Sequence, residues 1–90
     1  MNQKNLEEKV PPYTWEDLGD DSSKCPDEGF EWRGEGEPED GLGNWIRGDK
    51  KNREKLYPDF NHKYHPPHWD YYSPEFPGGV RIYPEKWEYK

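Results

Sequence analysis

Ninety residues make one small domain, and a chain this short must fold with a modest buried fraction. Leu, Ile, Val and Phe together number 11, which with a net charge of -7 describes a disordered chain, but 15 aromatic residues offset them. Each aromatic ring can bury about 150–250 Å², so a folded core built of rings is expected. The single Cys25 excludes an internal disulfide and a Cys-based zinc cage, and no apolar run reaches the roughly 18 residues that cross a bilayer.

Residues 1–12 are polar, lack periodicity and end in Pro11-Pro12, which predicts a flexible segment or linker ahead of one domain spanning 13–90. Tyr13 to Gly43 mixes the anchors Trp15, Phe30 and Trp32 with Gly, Pro and acidic residues, the pattern of an irregular wrapping segment. Cys25 sits there with no base beside it, so it is read as a loop position. Gly34 to Gly41 carries no apolar residue and reads as a solvated loop.

Asn44-Trp45-Ile46-Arg47 predicts a short strand. Asp49 is a candidate N-cap for a helical turn through Leu56, stopped by Pro58, and that turn carries Lys51 and Arg53 as candidate phosphate contacts. From His68 the pattern has a period of two, which puts His68, Asp70 and Tyr72 on one face of a strand and Trp69 and Tyr71 on the other. Gly78-Gly79 breaks the chain before Val80 to Tyr83, and Lys86 to Tyr89 alternates again. The expected fold class is α+β: a short antiparallel sheet of two or three strands near the C-terminus, little helix, and long irregular loops anchored by aromatics. Trp69, Tyr71, Val80, Ile82, Trp87 and Tyr89 form its buried face, while His68, Asp70 and Arg81 share the other.

All three histidines, His62, His65 and His68, fall within seven residues. Cleaving an RNA phosphodiester needs a base for the 2'-hydroxyl, an acid for the leaving oxygen and a cation for the charge on phosphorus; imidazoles and an arginine supply them. His62, His68 and Arg81 are therefore the candidate catalytic groups, with Asp70 fixing an imidazole. Asn61, Tyr72, Lys51 and Arg53 are candidate substrate contacts, and Tyr64 and Phe76 are further stacking candidates beside core packing. A metal set of His62, His65, His68 and Asp70 is the alternative, weakened because Pro66-Pro67 prevents helical presentation. Charge divides too: residues 1–43 hold 13 acidic and 4 basic side chains, residues 44–90 hold 7 and 9. An acidic protein can still bind nucleic acid through a local basic and aromatic surface.

The order Trp15-Glu16-Asp17-Leu18-Gly19-Asp20-Asp21, Gly29-Phe30-Glu31-Trp32-Arg33-Gly34, Gly43-Asn44-Trp45, Leu56-Tyr57-Pro58-Asp59-Phe60-Asn61-His62, Pro67-His68-Trp69-Asp70-Tyr71 and Arg81-Ile82-Tyr83-Pro84 resembles the C-terminal toxin domain called polymorphic toxin type 37. The resemblance spans roughly residues 13–90 and rests on order and spacing more than on any one motif. It implies a toxic effector of inter-bacterial competition, secreted or delivered into the target-cell cytoplasm, with a cognate immunity protein and a nuclease activity. Carried over, its polar signature is Asp59, Asn61, His62, His68, Asp70 and Arg81. Lys63-Tyr64-His65-Pro66 departs from the small connection usual before His-Trp-Asp, which leaves His65 outside that set, and Pro84-Glu85-Lys86 replaces the usual Asp-Gly turn.

The expected function is a metal-independent, cofactor-free nuclease acting as a monomer on RNA, with DNA possible and no membrane partner. RNA is preferred because its 2'-hydroxyl is a built-in nucleophile, so cleavage is expected to survive a chelator. The rivals are a metal-dependent DNase and a non-enzymatic protein-binding module.

Overall fold

The structure, a computed structural model, describes residues 9–90. The elements are α1 (Trp15–Leu18), β1 (Glu31–Gly34), a 3-10 turn (Pro38–Asp40), β2 (Gly43–Arg47), β3 (Glu54–Asp59), β4 (His68–Ser73), β5 (Phe76–Ile82) and β6 (Trp87–Tyr89). The strands form one antiparallel sheet in chain order, each pairing with the next. The sheet thus starts at Glu31 and has six strands, where two or three near the C-terminus were expected. The expectation of a flexible start lies outside the described residues for 1–8. At Lys9 the chain is held, because the Tyr89 hydroxyl donates to the Lys9 carbonyl at 2.7 Å.

Register builds the core. Trp32, Trp45, Leu56, Tyr71, Val80 and Tyr89 are successive cross-strand partners, a single apolar row across all six strands. A second row joins Pro58, Trp69, Ile82 and Trp87. The face predicted for Trp69, Tyr71, Val80 and Ile82 is buried, whereas Tyr89, on the edge strand β6, stays half exposed. Residues 13–30 cover this face, with Tyr13, Leu18 and Phe30 in the core, but the segment expected to be irregular from Tyr13 to Gly43 contains α1, β1 and the 3-10 turn. Two indoles fasten the wrap, Trp69 Nε1 donating to the Gly19 carbonyl at 2.7 Å and Trp45 Nε1 to the Ser22 carbonyl at 3.1 Å. Buried indole N–H groups need such partners, and an irregular segment has carbonyls to offer.

Three local expectations are corrected. Asp49 accepts from the N–H groups of Lys51 and Asn52 in a turn joining β2 to β3, so the expected helical turn is a hairpin connection. The side chain does what an N-cap does, but the chain then extends. Pro58 does not stop an element. It sits inside β3 beyond the last pairing with β2, Trp45 to Leu56, where the strand has one neighbour and a missing N–H is tolerated. Nor does Gly78-Gly79 interrupt the chain, since β5 runs through both after a register shift between Tyr71 and Ser73.

Gly79 makes that passage possible. Its φ is 92°, and a Cβ there would stand 2.6 Å from the Tyr72 ring. Gly79→Ala is therefore expected to lower stability by about 1–2 kcal/mol, seen as an earlier thermal transition; an unchanged transition would show that the ring gives way freely.

Candidate functional site

The site lies where β3 ends and β4 begins. Asp59 and His68 are cross-strand partners, and residues 60–67 loop out between them carrying His62 and His65. Ring centroids of His62 and His65 are 4.6 Å apart, those of His62 and His68 6.1 Å, and those of His65 and His68 5.9 Å. The three imidazoles therefore meet in space as well as in sequence.

Their environments differ. His68 is 1% exposed, packed beside the Tyr83 ring at 5.2 Å, and its Nδ1 is 2.8 Å from the Pro66 carbonyl. A carbonyl only accepts, so Nδ1 carries the hydrogen and Nε2 is turned to the carboxylates, 3.3 Å from Asp70 Oδ1 and 3.4 Å from Asp59 Oδ2. Asp70 is 9% exposed. The alternation rule placed both residues correctly on the face opposite Trp69, but that face is covered at this corner, so neither is open to a polymer. His62 is exposed, and its Nδ1 accepts from the Tyr64 N–H at 3.0 Å, which leaves Nε2 as its proton-bearing atom when neutral. His65 is half-buried; burial first, then Arg81 and the two other histidines, push its pKa below the ordinary imidazole value.

Arg81 is the β5 partner of Asp70 on the same face, 3.8 Å from Glu88, and its charge contributes to lowering the His65 pKa. Asn61 is exposed at the start of the loop, on a cavity rimmed by Glu39 and Asp40, which disfavours phosphate there. Tyr72 lies further along β4, its ring edge-on to Tyr57 at 5.7 Å and near Lys90. Lys51 and Arg53 are not brought to the histidines. They lie on or beside the β2–β3 turn, at the opposite end of β3 from Asp59, and Arg53 donates to the Gly48 carbonyl. Of the further stacking candidates, Phe76 is buried in the core and Tyr64 is 78% exposed beside His62.

A cavity of about 510 Å³ opens at that far end among Glu31, Arg33, Arg47 and Arg53. We place the site at the imidazoles instead, because the histidine corner holds groups that move protons or bind cations. Asp59 is the member that residue parity could not assign: only the β3–β4 register sets it against His68. Compared with family models, curated proteins and solved structures, the chain matches none.

Proposed function

We propose that this chain is a ribonuclease toxin domain that cleaves RNA by attack of the 2'-hydroxyl on the adjacent phosphorus. The observation that carries the reading is the convergence of three imidazoles at one corner of the sheet, where Arg81 is the strand partner of Asp70. His65, whose pKa is lowered, takes the 2'-hydroxyl proton; His62, as imidazolium with its Nδ1 released from the Tyr64 N–H, returns one to the leaving 5'-oxygen through Nε2 and is left neutral; Arg81 offsets the charge on phosphorus. His68 and Asp70, being buried, position the loop and do not touch substrate. Tyr64 offers its exposed ring to an unpaired base. The order of motifs resembling polymorphic toxin type 37 supports delivery into a target-cell cytoplasm and a cognate immunity protein covering the site. The acidic segment before β2 would meet basic groups on that partner.

The deciding assay compares RNA with the same sequence carrying 2'-O-methyl groups, in metal-replete buffer. RNA should give products ending in a 2',3'-cyclic phosphate and the methylated strand none. His62→Ala and His65→Ala should each lower the rate by about 10²–10⁴-fold, without changing the circular dichroism spectrum. Cleavage of strands lacking every 2'-hydroxyl would move the assignment to a metal-dependent DNase, and growth arrest with intact nucleic acids would move it to a binding module.

A further inference from the structure

We infer that Asp59, His68 and Asp70 form a binding site for a divalent transition cation. Their donor atoms lie within 4.8 Å of one another, on two adjacent strands of the sheet. His68 Nε2 stands 3.3 Å and 3.4 Å from the two carboxylate oxygens. Two ligands about 2.1 Å from a tetrahedral metal stand about 3.4 Å apart, so these two edges already match such a site. The third edge, between the two carboxylates, is no longer than 4.8 Å.

Two further observations point to a cation rather than to an ordinary ion pair. Among the described residues, Asp70 Oδ1 is a buried oxygen with no hydrogen-bond partner, so its closeness to Nε2 is not a hydrogen bond, and a buried orphan acceptor calls for an explanation. His68 also has the outer contact that metal-bound histidines have: Nδ1 donates to the Pro66 carbonyl, which aims Nε2 into the gap between the carboxylates. This set differs from the His62, His65, His68 and Asp70 group that spacing suggested, because a strand partner, Asp59, replaces the two loop histidines. One imidazole with two carboxylates suits Zn²⁺ or Mn²⁺. The cation ties the end of β3 to the start of β4, at the base of the loop that carries His62 and His65. It is a clamp, and no step of the proposed cleavage passes through it.

The test is isothermal titration of the full chain with Zn²⁺ and with Mn²⁺, which reads binding alone and so stands or falls apart from the ribonuclease reading. One site per chain is expected. Losing an outer contact of a metal site costs about 10–100-fold in affinity, so Asp70→Asn and Asp59→Asn should each cost more than about 100-fold. The His62→Ala, His65→Ala double variant should bind as the parent does. Added Zn²⁺ should raise the melting temperature of the parent and not of Asp59→Asn. Asp59 has a side chain 30% exposed, so its variant remains decisive even where Asp70→Asn fails to fold. Absence of binding at millimolar metal, or binding that survives Asp59→Asn and vanishes in the double histidine variant, would overturn the inference.

Discussion

Trp69→Ala should remove a large share of the domain's stability and bring its unfolding transition well below the parent's. Trp69 is fully buried, packs edge-on against Phe60 at 5.5 Å, and stands between Pro58 and Ile82 in the second apolar row. Truncating a buried Trp costs about 3–5 kcal/mol, and the indole also donates to Gly19, so the wrapping segment loses an anchor as the core gains a cavity. A small domain has only about 5–15 kcal/mol in total, and this one has few aliphatic side chains to collapse into the hole. The readout is near-ultraviolet circular dichroism with a urea titration. A sharp transition at the parent's midpoint would show that the rings around Trp69 repack, and would remove it from the centre of the core.

The same residue shows what could be read from the chain alone. In β4 and β5 a period of two separates Trp69, Tyr71, Val80 and Ile82 from His68, Asp70 and Arg81, and the sheet keeps that division because one face takes the wrapping segment. β1 escaped notice because an edge strand of Glu-Trp-Arg-Gly has one apolar side chain and no alternation to count. β3 escaped because its approach is polar and opens on Asp49, whose capping chemistry serves a turn as well as a helix. At the site, parity put His68 beside Asp70, but the meeting with Asp59 depends on pairing across an eight-residue loop, which no local pattern encodes. Nor does alternation say that a polar face is covered: it equates polar with wet, and Asp70 and His68 are polar and buried. In the proposed cleavage that burial makes the two support for the loop, and His65, outside the motif-derived set, the base.

Glu54→Ala should be a damaging change outside the apolar core, because one carboxylate there anchors two elements. Glu54 Oε1 accepts from Arg47 Nε at 2.8 Å and Oε2 from the Tyr71 hydroxyl at 2.6 Å. Arg47 in turn donates to the Tyr13 hydroxyl at 2.7 Å and to the Glu28 carbonyl at 2.8 Å, with its guanidinium 4.3 Å from the Phe30 ring centre. Removing Glu54 takes one of two carboxylates from the guanidinium, Asp27 remaining at 3.3 Å, and takes the acceptor from a buried phenol. Charge-assisted bonds contribute about 1.5–3 kcal/mol each, and the pair is 29% and 21% exposed, so solvent screening holds the expected loss to about 2–3 kcal/mol. Alkali should act on the same network. Burial, then the bond to Asp27, pushes the Tyr13 pKa up to about 12, and burial, then the bond to Glu54, pushes Tyr71 up as well. A phenol whose folded pKa is raised contributes its full stability below the unfolded value of about 10 and loses it as pH climbs through the folded one. The urea midpoint of the parent should therefore fall between pH 10 and about 12, and Tyr71→Phe should fall less steeply over that window. A Glu54→Ala midpoint equal to the parent's at neutral pH would mean that water replaces the carboxylate without cost, and that the sheet end is held by its rings alone.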